Sequence, residues 1–278
     1  AQGTADFLNA TRVGSRGFVI GYDSRFASED FARAVAEVTT ANGIPTLLCD
    51  RAAPTPVISF NLVNKDAGAG AIITASHNPG TWNGFKFKPD YGGSASPEIV
   101  ARLEEQIAAV ERSPAVKRMA LDEAERQGLL EYFDPEPDYL AHAANLVDVQ
   151  AIRNAGLNIV FDPMHGSGAG YFGKLLAGGN TRLIEIRGER NPAFPGMAQP
   201  EPIAQNLRPL MDAVADHNAD VGLATDGDAD RLGVVDEDGR FLTTLQTFAI
   251  LCLHLLENLG QSGPLVRSIT MTSMIDRL

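Results

Sequence analysis

Positive charge is scarce in this chain. Lys and Arg number 23 against 35 Asp and Glu, a net charge of −12 over 278 residues. Nucleic acids and anionic membranes are held by clustered Lys and Arg, so neither is expected as a partner. Cysteine is scarcer still. Cys49 and Cys252 lie in apolar surroundings without paired spacing. They fit structural thiols in a reducing, cytoplasmic compartment and exclude a disulfide framework. No apolar run approaches the length of a membrane span, and no charged head followed by an apolar stretch marks a signal peptide. Low-complexity segments are absent. The chain has no initiator Met and begins in mid-pattern, which predicts a processed or truncated product. Nothing in the sequence bears on oligomeric state.

What is present is ordinary for a globular protein: 44% hydrophobic and 21% charged residues, in a length that allows two sizeable cores. Short apolar runs alternate with helical patterns. Gly17–Tyr22, Thr46–Cys49 and Ala69–Ile73 read as buried strands, and Phe85-Lys86-Phe87-Lys88 as an alternating one. Ser28 is the expected N-cap of the first long helix, and Gly43 the residue that ends it. Residues 112–137 are charged and close on Asp134-Pro135-Glu136-Pro137, a plausible domain boundary. One helix is expected from about 138 to 152. Strands follow at 158–161, 182–186, 219–224, 232–236 and 265–270, with helices at 171–176, 207–217 and 247–259. The expected fold is α/β: two consecutive three-layer domains, 1–137 and 138–241, with mixed, mostly parallel sheets. Residues 242–278 begin a third domain.

Two stretches carry chemistry. Asp226-Gly227-Asp228-Ala229-Asp230-Arg231 places Asp at i, i+2 and i+4 of an extended loop, where three carboxylates can converge on one hard cation such as Mg²⁺, Mn²⁺ or Ca²⁺. An EF-hand shares that start, and Glu237 falls at its twelfth position. But Arg231 stands where that loop requires glycine, and the flanks are strands. A solvated acidic turn is the bland alternative. Against it, three like charges without an internal basic partner repel unless a cation sits among them. Arg231 suits an anion clamp better than a metal ligand.

The other stretch is Thr74-Ala75-Ser76-His77-Asn78-Pro79, at the end of an apolar strand. Read alone, Ser76 is either a turn residue or a nucleophile. No G-x-S-x-G elbow surrounds it, and neighbours in a strand face opposite ways, so Ser76-His77 is not a hydrolase dyad by adjacency. A phosphoserine needs a divalent cation and a guanidinium, which the distant acidic loop offers. Lys86 and His77 are the candidates to move a sugar hydroxyl's proton, with the Lys86 pKa expected to be lowered by nearby positive charge. A metal-dependent phosphatase using Asp226 as nucleophile is a further reading, but it leaves Ser76-His77 unexplained.

At these residues the sequence resembles the α-D-phosphohexomutase superfamily, which includes phosphoglucomutase, phosphomannomutase and phosphoglucosamine mutase. The serine loop stands at Thr74–Pro79, the lysine segment at Asn83-Gly84-Phe85-Lys86 and the metal loop at Asp226–Arg231. Gly21–Arg25 and Pro54-Thr55-Pro56 also look like family segments. The resemblance runs in order over nearly the whole chain. It implies a phosphorylated Ser76 that exchanges its phosphoryl group with hexose phosphates through glucose 1,6-bisphosphate. It implies Mg²⁺ bound by Asp226, Asp228, Asp230 and Ser76. Lys86 would be the general acid/base assisted by His77, Arg231 would contact the phosphoserine, and Arg25, Asn83 and Lys86 would bind substrate. Glucose is expected as substrate ahead of mannose, then glucosamine.

The pattern also departs from the family. The resemblance implies four domains, whereas two and the start of a third are visible here, and the fourth domain is absent. The third-domain sugar loop, the fourth-domain phosphate loop and the front arginine loop are missing. The chain is therefore expected to be a poor mutase by itself, or a catalytically incomplete binder of metal and phosphosugar.

Overall fold

Glycine-bounded apolar runs become strands here because each finds a hydrogen-bonded neighbour and helices on its faces. The computed structural model describes residues 1–112 and 115–277. The first unit runs α1 (Gln2–Thr11), β1 (Phe18–Tyr22), α2 (Ser28–Ala41), β2 (Thr46–Cys49), α3 (Thr55–Asn64), β3 (Ala69–Ile73), β4 (Phe85–Pro89), α4 (Pro97–Arg112), α5 (Leu121–Arg126) and β5 (Leu130–Phe133). Its sheet has the order β4-β3-β1-β2-β5, parallel except for β4. β1 lies at the centre and every residue of it is buried, so no alternation marks it.

The second unit runs α6 (Glu136–Leu146), α7 (Val149–Asn154), β6 (Asn158–Asp162), α8 (Tyr171–Leu176), β7 (Arg182–Glu185), α9 (Arg208–His217), β8 (Val221–Thr225), β9 (Leu232–Val235), β10 (Phe241–Leu242) and α10 (Thr244–Leu253). Its sheet order is β10-β9-β8-β6-β7, with β9 and β10 antiparallel. Period-2 alternation splits its core. Val160 packs with Leu207, Leu210 and Val214 on one face, and Ile159 with Val149 and Leu176 on the other. The architecture is thus α/β with two mixed, mostly parallel sheets. Among the described residues, no helix is long and apolar enough to cross a membrane.

Four expectations need correction. The charged stretch before residue 137, to which no element was assigned, carries α5 and a strand, β5, that pairs parallel with β2. The helix expected over 138–152 is two, α6 and α7, separated at Val147 and restarted by the Asp148 carboxylate capping the Ala151 N–H at 2.9 Å. Residues 265–270 form no strand. Val266 and Ile269 are 87% and 98% exposed, since β-propensity alone forms nothing without an adjacent sheet edge. Ser28 does not cap α2. Ala27 holds that position with φ 58°, and the Ser28 hydroxyl donates to Asp23 at 2.8 Å.

Candidate active site

The functional loops all leave the carboxyl ends of parallel strands, where ligands bind in open α/β sheets. Asp23-Ser24-Arg25 follows β1, Thr74–Pro79 follows β3 and Asp226–Arg231 follows β8. β1 and β3 are hydrogen-bonded neighbours, so the first two loops lie side by side.

Asp23 anchors that pair from a fully buried position. Its Oδ1 accepts from the Arg25 N–H at 3.0 Å and from Ser28. Its Oδ2 accepts from Arg25 Nε at 3.0 Å and from the Thr74 hydroxyl at 2.7 Å. Burial pushes the Asp23 pKa up, opposed by these hydrogen bonds and the Arg25 charge. Thr74 Oγ1 in turn accepts the Ser76 N–H at 2.8 Å. Ser76 sits in the left-handed region at φ 54°, uncommon outside glycine, so its surroundings must hold it there. Its hydroxyl is 3.5 Å from His77 Nδ1, the far edge of a hydrogen bond.

The acidic loop is built differently. Asp226 and Asp228 are fully buried and Asp230 is exposed, and each presents an oxygen within 4.8 Å of the others. Asp226 Oδ1 closes the turn by accepting from the Asp230 and Arg231 N–H groups, both at 3.0 Å. Asp228 Oδ2 accepts from the Thr55 hydroxyl at 2.6 Å and Lys86 Nζ at 3.0 Å. The other oxygens, Asp226 Oδ2 and Asp228 Oδ1, are buried without a partner. An orphaned buried acceptor costs on the order of 1–3 kcal/mol, more when charged. All-oxygen donors, two of them buried and unsatisfied, fit a hard divalent cation such as Mg²⁺.

Electrostatics follows from that geometry. Burial raises the Asp226 pKa, and the charges of Asp228 and Asp230 raise it further. Asp228 moves down: burial opposes this, but Lys86 and Thr55 prevail. The Lys86 pKa was expected to be lowered beside a cation and other basic groups; in the metal-free fold it moves up instead. Burial does lower it, but Asp228 and Asp230, at 3.0 and 3.4 Å, outweigh that and raise it. Two residues along β4, Lys88 is buried, and burial lowers its pKa.

The two loops meet. The Thr55 N–H donates to the Asp228 carbonyl at 2.8 Å, and Lys86 reaches from β4 into the acidic loop. Gly227 faces the serine: a Cβ there would lie 2.8 Å from the Ser76 carbonyl oxygen and 3.5 Å from Arg25 Nη2. Only glycine permits this approach.

Three predicted residues sit differently from expectation. Arg25, expected at a phosphate, is fully buried with its guanidinium hydrogen bonds all to protein oxygens. Asn83, expected at substrate, donates to the Ser28 hydroxyl at 2.9 Å and the Phe26 carbonyl at 3.2 Å, and accepts the Gly84 N–H at 2.9 Å. It closes a turn. Arg231, expected at the phosphoserine, pairs with Glu201 at 2.6 Å while its Nε stays 4.0 Å from Asp226. Sequence reasoning marked the Pro54-Thr55-Pro56 segment without giving Thr55 a contact, and missed Glu201 and the anchoring role of Asp23. A hydroxyl between two prolines at a helix start was the available signal for Thr55; Glu201 carried none.

Comparison with known proteins bears on both units. A family model described as phosphoglucomutase/phosphomannomutase, alpha/beta/alpha domain I, matches residues 1–113, and the model of domain II matches residues 137–239. A phosphoglucomutase/phosphomannomutase of Thermococcus kodakarensis is 31% identical over 258 residues, covering 93% of this chain and 54% of that protein. A relative in Methanothermobacter thermautotrophicus, named provisionally as a phosphoglucosamine mutase, is 29% identical over 96% of this chain and 56% of its own length. A solved structure from Thermus thermophilus, named provisionally as a phosphomannomutase, matches with a TM-score of 0.87 and 30% identity over 99% of this chain and 60% of that one. The chain spans about half the length of the curated relatives it matches.

Proposed function

This chain belongs to the phosphoglucomutase/phosphomannomutase family, and on that premise we propose that it carries the phosphoryl-transfer centre of a hexose-phosphate mutase. The observation that carries the reading is the contact between the two loops. A strained serine sits against an acidic loop whose buried oxygens lack partners. An acyl-transfer serine has no use for such a neighbour; a phosphorylated one does.

Ser76 Oγ is the phosphoryl carrier. In the forward half-reaction, a hydroxyl of a hexose monophosphate attacks the phosphorus, the bond to Ser76 Oγ breaks, and the sugar leaves as a bisphosphate such as glucose 1,6-bisphosphate. In the return, Ser76 Oγ takes the other phosphoryl group. Asp226, Asp228 and Asp230, with an oxygen of phosphorylated Ser76, would hold Mg²⁺, which when bound neutralises charge on the transferring group. Lys86 takes and returns the hydroxyl proton. Its raised pKa comes from Asp228 and Asp230, so engaging those carboxylates elsewhere lowers it toward a base's range. His77 lies near enough to Ser76 to assist, and Arg231, paired with Glu201 in this structure, is the guanidinium of the acidic loop that would contact the transferring group. The preferred substrate is a glucose phosphate, then mannose, then glucosamine phosphate. The engagement of Arg25, Asn83 and Arg231 by protein groups favours a second reading for the chain by itself: it binds metal and phosphosugar yet turns substrate over slowly.

Intact mass after incubation with Mg²⁺ and glucose 1,6-bisphosphate tests the first reading. One phosphate-sized addition, absent in Ser76→Ala, is expected; its absence from the unsubstituted chain overturns the carrier role. Turnover of glucose 1-phosphate separates the second reading, since a rate equal to that of a full-length relative excludes it.

A further inference from the structure

Arg25 is the most heavily engaged side chain near Ser76, and nothing in the phosphoryl-transfer step uses it. A guanidinium has five N–H donors. Here Nε goes to Asp23 at 3.0 Å, Nη1 to the carbonyls of Pro79 at 2.8 Å and Trp82 at 3.2 Å, and Nη2 to those of Ser76 at 2.6 Å and Asn78 at 2.7 Å. Four carbonyls of the β3–β4 connection, three of them in the serine loop, therefore converge on one buried cation. Both backbone groups of Ser76 trace back to Asp23: its N–H through Thr74, its carbonyl through Arg25. This is what holds a non-glycine residue at φ 54°.

Arg25 is itself locked from the second unit. Arg190 donates to the carbonyls of Ser24 at 2.9 Å and Arg25 at 3.1 Å. The ring of Phe194, 1% exposed, lies 5.2 Å from Arg25 Cζ. The serine loop is pressed against the same segment: a Cβ on Gly80 would come within 2.8 Å of the Pro192 carbonyl oxygen.

We propose that Arg25 is a positioning residue for Ser76, locked by the Arg190–Phe194 segment of the second unit, so that docking of the two units sets how readily the serine takes a phosphoryl group. The last part rests on the mutase reading; the loop-ordering part does not. Lysine cannot replace Arg25, having three donors on a compact head in place of a planar fork. Leucine at 194 keeps an apolar side chain, somewhat smaller, but removes the ring face over the guanidinium, whereas tyrosine keeps it.

Trp82, the one tryptophan of the chain, lies in the held loop and supplies a spectroscopic reporter. Steady-state fluorescence anisotropy of Trp82 and the rate of phosphate incorporation at saturating glucose 1,6-bisphosphate are measured for Arg25→Lys, Phe194→Leu and Phe194→Tyr, with calorimetric Mg²⁺ affinity alongside. Arg25→Lys is expected to lower anisotropy and slow incorporation by about 10- to 100-fold, the scale of a 1 Å misplacement. Phe194→Leu is expected to do the same by about three- to tenfold, and Phe194→Tyr to restore both. Mg²⁺ affinity of the unphosphorylated chain is expected to stay within about threefold of the parent, because the three carboxylates are untouched. Should Arg25→Lys unfold, Phe194→Leu decides. A folded Phe194→Leu chain with unchanged anisotropy overturns the proposal, as does restored loop order with no dependence on the ring. If the parent takes up no phosphate, the mutase reading falls and the anisotropy still decides loop positioning.

Discussion

The serine loop and the acidic loop leave corresponding edges of two similar sheets, yet their polar groups are satisfied in opposite ways. Around Ser76 the carbonyls are saturated by a buried guanidinium, and the strained backbone is fully supported. Around Asp226 and Asp228 the backbone is satisfied but one oxygen of each carboxylate is not. One loop is finished by the fold; the other is left with buried carboxylate oxygens that a proton or a bound cation would satisfy. The difference separates positioning, which must precede catalysis, from charge neutralisation, which must be reversible.

The largest expected effect comes from removing a carboxylate from the unfinished loop. Asp228→Ala is expected to weaken Mg²⁺ binding by at least on the order of 100-fold in calorimetric titration, given that loss of outer-shell partners alone costs 10–100-fold. A titration within a few-fold of the parent would show that the loop is not the cation site. Next comes the contact between the loops. Gly227→Ala drives a Cβ to 2.8 Å from the Ser76 carbonyl, which Arg25 prevents from moving aside. A loss of about 1–3 kcal/mol in urea unfolding is expected. An unchanged midpoint would mean that the loops are less tightly abutted than the geometry requires.

Thr55→Val strips one of the two side-chain hydrogen bonds from Asp228 Oδ2 and joins the two units less firmly. Its expected cost is about 1–2 kcal/mol, read by the same unfolding measurement, and larger without Mg²⁺ than with it. The smallest effect is a pH dependence. Burial, with Asp228 and Asp230, raises the folded-state pKa of Asp226 to about 8, so the metal-free fold binds a proton that the unfolded chain releases. Its contribution is full below the unfolded carboxylate value, about 4, and is lost as pH rises toward 8. Saturating Mg²⁺ should therefore raise the Tm more at pH 8 than at pH 5, by a few degrees, roughly the shift expected for 1 kcal/mol. Equal shifts at both pH values would remove Asp226 from the coupling.

Much of the fold was readable in residue patterns. β1, β3 and β6 are short, largely apolar runs, too short to read as helices. β5 was hidden because its edge position leaves Glu131 and Tyr132 exposed, so neither a continuous run nor an alternation appears. Residues 265–270 have strand composition but no neighbour, and composition cannot report a neighbour. Of the candidate site, the residue types were legible and several of their contacts were not. An arginine after a strand can grip a phosphate or four carbonyls with the same donors, and Asn83 can meet a sugar or its own turn.

By itself the sequence determined the inventory: two alternating α/β units, a serine after β3, three aspartates after β8, and a lysine on β4. Those follow from local periodicity and residue chemistry, which act over a few residues. The tertiary structure alone decided that Gly227 lies against Ser76, that Thr55 and Lys86 share Asp228, and that Arg25 turns inward to hold the serine loop. Each of these joins residues 50 or more positions apart, or the two units themselves. Their partners are chosen by which strand ends the sheets bring together and by which donors burial forces to find an acceptor.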